Sequence, residues 1–179
     1  MEKAKLIELA RNSIESVYTK SHIDLENYSF NDKLGVFVTL YIDGNLRGCI
    51  GYPRPYYSLR EGIYQAARAA AFEDSRFEPL SEEDFAKVKI EISVLSSPQL
   101  IEVERYHDYI DKIDLGTDGL ILEHGNFSGL LLSQVPIEWG WDTIEFLENL
   151  CYKAGLSKDD WKEVGVKIYK FQSVVYKED

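Results

Sequence analysis

Residues 34–51 read LGVFVTLYIDGNLRGCIG, and this stretch decides the first part of the fold. Its first half is β-branched and aromatic, which is typical of a strand. Asp43-Gly44-Asn45 is a tight-turn signal, and extended character resumes from Leu46 to Gly51, so the stretch predicts a β-hairpin. Gly48 and Gly51 lie in the second strand, where glycine is tolerated when a ligand or another backbone must come close.

The second strand also carries an arginine and a thiol at alternate positions. Alternation predicts that Arg47, Cys49 and Gly51 share one face, with about 6.6 Å between residues two apart. A guanidinium at that distance favours the thiolate form of a partly exposed cysteine. The alternative is an inert Cys49 that packs as a small hydrophobic side chain.

The rest of the chain alternates helical and extended patterns. Helical spacing predicts helices at 4–19, 58–73 and 142–154, and the last two begin with the capping pairs Ser58/Glu61 and Asp142/Glu145. A single helical turn is predicted at 81–85, a weakly helical stretch at 104–114, and strands at 88–94, 119–123, 127–133 and 164–176. Hairpin-linked strands without strict βαβ alternation favour an α+β fold with a mainly antiparallel sheet packed with helices.

Composition predicts a single globular domain over residues 1–179. The chain has 20 basic and 31 acidic residues and therefore a net charge of −11. Its hydrophobic side chains make up 45% of the sequence, which excludes an intrinsically disordered protein and a small domain that depends on disulfides. We expect a cytoplasmic protein without a membrane span, because the apolar runs are short and the first segment is charged. We expect no metal site, since Cys49 and Cys151 form no Cys-x-x-Cys pair.

Positive charge is concentrated in one segment. Between positions 47 and 76 the chain has three acidic residues and no lysine, but five of its seven arginines: Arg47, Arg54, Arg60, Arg68 and Arg76. A small anionic ligand is therefore favoured near this segment, because the planar guanidinium suits carboxylate or phosphate. The acidic remainder makes nucleic acid an unlikely partner unless the arginines form one outward stripe. Alternatively, Arg60 and Arg68 belong to a solvated helix face.

Several motifs together resemble those of a known family. They are LRGCIG at 46–51, AAF at 70–72, DSRF at 74–77, PL at 79–80 and IEISVL at 90–95, followed by shorter matches at 118–120, 129–132, 134–135, 141–142, 146–147 and 153–156. This combination is similar to the AMMECR domain family over nearly the whole chain. Ser133 departs from the pattern, since the family usually has proline there.

The resemblance implies a two-lobed α+β fold with a cleft between the lobes. The larger lobe would hold both termini and an antiparallel sheet packed with helices. The resemblance supplies neither a reaction nor a cofactor. Members of the family occur near or fused to Memo-like and radical-SAM proteins, which makes such a protein an expected partner by association alone.

Carried onto this sequence, the resemblance gives a candidate site that consists of Arg47, Gly48, Cys49, Gly51, Asp74 and Arg76. In this hypothesis Arg47 and Arg76 grip an anionic group and Asp74 fixes one arginine through a bidentate pair. Cys49 acts as the nucleophile. The alternative is an Asp74–Arg76 pair that serves as a buttress between the lobes.

His124 is the best candidate base among the three histidines, although a surface histidine beside a hairpin turn is equally ordinary. Trp139 and Trp141 either anchor a partner or divide into one core residue and one half-exposed lid.

The sequence supports two hypotheses about the function of this protein. The first is an enzyme or sensor domain that binds a small anionic ligand in an interlobe cleft around Cys49. The alternative is a non-catalytic module that docks a partner such as a Memo-like protein.

Overall fold

The structure is a computed structural model that describes residues 2–179. The chain divides into two compact units: residues up to Ser97 together with Val174–Asp179 form the first, and Pro98–Ser173 form the second. Each unit has its own sheet and its own hydrophobic core. The α+β fold is confirmed, while the cleft expected between lobes stays a prediction.

The helices lie largely where the sequence predicts them. Their bounds are α1 Lys3–Thr19, α2 Leu59–Phe72, α3 Glu82–Phe85, α4 Asp108–Lys112, α5 Gln134–Trp139 and α6 Thr143–Ala154, with short 3₁₀ turns at Leu25–Asn27 and Asp160–Lys162. Both predicted capping boxes are present, with Ser58 before α2 and Asp142 before α6. Helix α5 was not predicted.

The first sheet contains the predicted hairpin. Its strands are β1 Gly35–Ile42, β2 Asn45–Tyr52, β3 Lys89–Leu95 and β8 Ser173–Lys177, in the order β2-β1-β3-β8. Asp43 and Gly44 both have positive φ, 52° and 77°, as a two-residue hairpin turn of type I′ requires. Strand β1 pairs antiparallel with β2 and with β3, so it is central and β2 lies at the edge.

A β-bulge interrupts the pairing of β1 with β2. Leu46 lies opposite Tyr41, but Gly48 lies opposite Leu40, so Arg47 is the extra residue of β2. A bulge disturbs the regular alternation of side chains and re-aims the residue it contains. The simple alternation that predicts a shared face for Arg47 and Cys49 therefore does not hold.

Both glycines of β2 are required by the packing of the protein itself. A Cβ at Gly48 would collide with the backbone carbonyl oxygen of Ala70 in α2. A Cβ at Gly51 would collide with the ring of Phe37 on β1. Glycine in a strand can make room either for a ligand or for another part of the protein. In β2 it makes room for other parts of the protein.

The second unit has a separate antiparallel sheet. Its strands are β4 Gln99–Leu100, β5 Gly119–His124, β6 Phe127–Leu131 and β7 Lys167–Phe171, in the order β4-β7-β5-β6. Helix α6 packs against β5 and β6. Gly129 allows this approach, because a Cβ there would lie 2.6 Å from the backbone nitrogen of Ala154.

Two expectations about this part of the chain are wrong. The single strand predicted at 164–176 is two strands, β7 and β8, which belong to different sheets and are separated by Gln172. The strand predicted at 127–133 ends at Leu131, and α5 begins three residues later, after a buried Ser133. Neither break is marked by glycine or proline.

Candidate functional site

The predicted motif residues meet at the outer edge of β2. An edge strand has backbone groups that face away from its only neighbour and need other partners. At Cys49 these partners are side chains: the backbone N–H donates to Asp74 Oδ2 over 2.9 Å, and Arg76 Nη2 donates to the carbonyl oxygen over 3.3 Å. The loop that follows α2 is thereby bound to the edge of the sheet.

Asp74 and Arg76 form the bidentate pair that the sequence predicts. Arg76 Nε donates to Oδ1 over 2.9 Å and Nη2 donates to Oδ2 over 2.7 Å, while the Arg76 backbone N–H also donates to Oδ1. The Asp74 side chain is only 4% exposed. The pair joins two parts of the first unit, so it acts as a local buttress for the loop on β2.

The charges of this pair are fixed. The hydrogen bonds from the Arg76 side chain hold the pKa of Asp74 well below its ordinary value, and the backbone N–H groups of Cys49 and Arg76 add to this effect against the opposing effect of burial. The same contact raises the pKa of Arg76. Asp74 therefore serves as a permanent carboxylate that orients Arg76, and is unsuited to proton transfer.

The sulfur of Cys49 has a hydroxyl partner on the neighbouring strand. Thr39 lies directly opposite Cys49, and its Oγ1 donates to Sγ over 3.2 Å. Cys49 is half-buried and is not among the buried residues of the core. The sequence does not indicate Thr39 as a partner of Cys49, because the turn alone would place Val38 opposite Cys49 and the bulge moves the pairing by one residue.

Arg47 and Arg76 lie near one aromatic ring. The guanidinium carbons of Arg47 and Arg76 are 5.8 and 5.5 Å from the centroid of Phe77. Arg47 Nη2 also donates to the carbonyl oxygen of Glu78 over 2.8 Å, so the bulge residue reaches the loop that follows α2. Two cations are thus held against Phe77, beside the backbone of Cys49.

Other arginines of the segment have structural roles. Arg60 donates to the Glu26 carboxylate and to the carbonyl oxygens of Leu25 and Tyr28, which attaches the first 3₁₀ turn to α2. Arg68 donates to Ser16 on α1. These contacts replace the solvated helix face expected for the two residues.

His124 belongs to the second unit, at the end of β5 and opposite Phe127. It is half-buried. Its predicted role as a base toward Cys49 stays a prediction.

The two tryptophans differ in burial, but neither matches the interpretation of one core residue and one half-exposed lid, because Trp141 is half-buried and Trp139 is largely exposed. Trp141 packs against the core of the second unit, and Trp139 is 71% exposed and stacks on it with 6.1 Å between ring centroids. Ile137, also on α5, is 61% exposed. The exposed apolar side chains of this short helix, Ile137 and Trp139, are called the α5 surface below.

The second unit also contains an open groove of about 690 Å³. The rings of Tyr106 and Trp161 and the side chains of Val103 and Val164 line it, together with charged residues of both signs. This mixture does not indicate one class of ligand.

Within residues 2–179, no three acidic, histidine or cysteine side chains converge as a set of metal ligands. Over the same range, no helix has both the length and the apolar character that a membrane span needs.

The motif arrangement can be compared with known proteins. The sequence model of the AMMECR1 family matches residues 7–176 of this chain. The chain belongs to the AMMECR1 family. A protein of the archaeon Methanocaldococcus jannaschii is 46% identical to it over 176 residues, which cover 96% of this chain and 88% of the relative. A protein of Aquifex aeolicus is 43% identical over 99% of this chain and 93% of the relative.

A solved structure of this AMMECR1 family has the same fold. It is the crystal structure of an uncharacterized protein from Pyrococcus horikoshii, with 43% sequence identity and a TM-score of 0.88. The alignment covers 97% of this chain and 90% of that one. The names of these relatives specify no ligand, reaction or partner.

Proposed function

We propose that this AMMECR1-family protein binds a small anionic ligand beside Cys49, as an enzyme or a sensor domain. The convergence of two guanidinium groups on Phe77 supports the proposal most directly. Arg76 is oriented by Asp74, and Arg47 is anchored to the loop through Glu78. Cations that are already oriented lose little conformational freedom when an anion binds.

The donor geometry indicates how an anion would be held. Among the described residues, Arg76 uses Nε and Nη2 for its hydrogen bonds, and Arg47 uses Nη2. The Nη1 groups of both arginines are then the donors for a carboxylate or phosphate oxygen. Cys49 is the group that contacts or attacks the bound molecule, and His124 stays the predicted base for a reaction.

Two alkylating reagents of similar size test the proposal. Iodoacetate carries a negative charge and iodoacetamide is neutral, so the ratio of their rates at Cys49 measures local attraction for anions. We expect Arg47→Gln to lower the iodoacetate-to-iodoacetamide ratio several-fold relative to the wild type. Arg105→Gln, which removes an exposed arginine of the second unit, is the matched control and should leave the ratio unchanged.

Equal ratios in the wild type and Arg47→Gln would contradict the proposal. A thermal melt gives a second readout that does not depend on the thiol. Inorganic phosphate at millimolar concentration should raise the melting temperature of the wild type more than that of Arg47→Gln, since a ligand stabilises only the state that it binds.

The alternative function, a docking module, is favoured by one specific observation. The α5 surface exposes Ile137 and Trp139, and an exposed tryptophan is a common anchor of protein interfaces. Under this alternative, Trp139→Ser should weaken binding to a purified Memo-like protein at least tenfold, while Arg47→Gln leaves it unchanged. Equal binding by Trp139→Ser and wild type would exclude the α5 surface as the docking site.

A further inference from the structure

Cys49 belongs to a row of polar side chains that crosses the first sheet. Thr39 on β1 is paired with Cys49 on β2 and with Glu91 on β3. Residues directly opposite in antiparallel strands have neighbouring side chains on the same face. At the far end of the row, Lys177 on β8 forms an ion pair with Glu91, with 3.0 Å between Nζ and Oε2. The row therefore runs from thiol to hydroxyl to carboxylate to ammonium.

The Thr39 hydroxyl has one proton and two neighbours in this row. The proton is directed to Sγ of Cys49, at 3.2 Å. The Glu91 carboxylate has its own donor in Lys177, which reduces its competition for that proton. Thr39 is only 8% exposed, so water competes little for the same hydrogen bond. A β-branched side chain is also restricted at χ1, which limits the positions open to the hydroxyl oxygen.

We infer that Thr39 is a positioning residue for the Cys49 sulfur: its hydroxyl holds the sulfur in place and stabilises the negative charge that develops when the thiol proton leaves. The inference rests on the proposed function insofar as Cys49 is the contacting or reacting group of the anion site. Hydrogen bonds to charged groups are stronger than those to neutral ones, so Thr39 contributes more to the thiolate than to the thiol.

Alkylation by iodoacetamide reports this effect directly. The thiol proton is lost to solvent, the sulfur lone pair forms a bond to the reagent's methylene carbon, and the carbon–iodine bond breaks to release iodide. Thr39 keeps its proton throughout. Cys151 is the internal control, because it is fully buried in the core of the second unit.

The experiment compares Thr39→Val with Thr39→Ser. Valine keeps the branched shape and removes the hydroxyl, whereas serine keeps the hydroxyl. We expect Thr39→Val to slow the alkylation of Cys49 about tenfold, which corresponds to about 1.4 kcal/mol, the order of the net contribution of one hydrogen bond. Thr39→Ser should stay within about twofold of the wild type. Thr19→Val, which removes an exposed hydroxyl of α1, should have no effect.

Two results would overturn the inference. One is a wild-type rate in Thr39→Val, and the other is a Thr39→Ser rate as low as that of Thr39→Val, which would show that the hydroxyl does not account for the slowing. Thermal melts of all variants check that they are folded. If Thr39→Val does not fold, Thr39→Ala provides a second hydroxyl-free variant with the same expected slowing.

The inference and the proposed function fail in different ways. Thr39→Val should slow iodoacetate and iodoacetamide equally and leave their ratio unchanged, whereas Arg47→Gln should change the ratio. An unchanged ratio in Arg47→Gln with slow alkylation in Thr39→Val would remove the anion site and retain the role of Thr39. A lowered ratio in Arg47→Gln together with a wild-type alkylation rate in Thr39→Val would retain the anion site and remove the role of Thr39.

Discussion

The two units use the same packing device at corresponding places. Each has a glycine in an edge strand where a helix crosses closely: Gly48 in β2 beneath α2, and Gly129 in β6 beneath α6. In both, the missing side chain makes room for backbone atoms of the helix, at Ala70 in the first unit and Ala154 in the second. Glycine in these strands therefore reports close helix–sheet packing.

The surroundings of the two glycines differ in the number of polar contacts beside them. Next to Gly48, Cys49 is bound by Asp74 and Arg76 at its backbone and by Thr39 at its sulfur. The second unit places its cysteine, Cys151, in α6 with no solvent exposure, and burial raises the pKa of that thiol to about 11. A glycine-flanked motif indicates a site only when polar groups accompany it.

The largest expected effect tests the shared packing device. Gly48→Ala should lower the free energy of unfolding by about 3 kcal/mol, because the added methyl group collides with a backbone carbonyl that cannot move alone. Gly129→Ala should cost slightly less, since its contact is longer. Urea denaturation of both variants measures the free energy of unfolding and shows which variant loses more.

Gly44→Ala is the control, because it lies in open space and costs only the strain of a positive φ, about 1 kcal/mol. If Gly48→Ala is no more destabilising than Gly44→Ala, the close approach of α2 to β2 is not a tight contact.

The second prediction sharpens the contrast between the cysteines. In the native protein at pH 8, Cys49 should be alkylated about a hundredfold faster than Cys151, whose raised pKa and burial suppress the thiolate. Mass spectrometry of the single variants Cys49→Ser and Cys151→Ser measures each rate separately. Similar rates in the two variants would remove the distinction between a reactive and a structural thiol.

The third prediction concerns Asp74. Because its pKa in the folded protein lies below the ordinary value of 3.8, its contribution to the free energy of unfolding is complete well above that pH. That contribution is lost as the pH falls through 3.8 toward the folded-state value. Asp74→Asn should lose about 2 kcal/mol at neutral pH, because the partners of the carboxylate include a charged guanidinium.

The pH dependence of this variant provides the check. The difference in stability between wild type and Asp74→Asn, measured by urea denaturation from pH 6 to pH 2.5, should narrow as the pH falls. A difference that stays constant over this range would show that the Asp74 charge does not stabilise the loop on β2.

The smallest effect is expected at the α5 surface. Trp139→Ser should change the free energy of unfolding by no more than about 0.5 kcal/mol, because the side chain is exposed. Trp141→Ala, which removes a ring packed on the core, should be clearly more destabilising. A large loss of stability in Trp139→Ser would assign that ring to the fold and leave the docking alternative without its supporting observation.

Much of this architecture could be predicted from local sequence signals. The Asp43-Gly44 turn and the capping boxes at Ser58 and Asp142 each depend on a few adjacent residues, and all three are where the sequence places them. The division of 164–176 between two sheets could not be predicted, because it depends on distant strands and no local breaker marks it.

The candidate site was predictable in its residues but not in its geometry. The resemblance implies a bidentate pair between Asp74 and one arginine, and that arginine is Arg76. The partner of Cys49 depends on the bulge at Arg47, which changes the opposite residue from Val38 to Thr39. A one-residue change in register reverses which side chains share a face, and composition gives no sign of it.

The position of β8 in the sequence affects how the protein folds during its synthesis. This strand borders β3 in the first sheet, yet it follows the entire second unit in the sequence. On the ribosome, β3 must therefore emerge with an unpaired edge and wait until the second unit has been translated. Open strand edges of this kind promote association between nascent chains, so the growing polypeptide is most vulnerable before β8 has been synthesised.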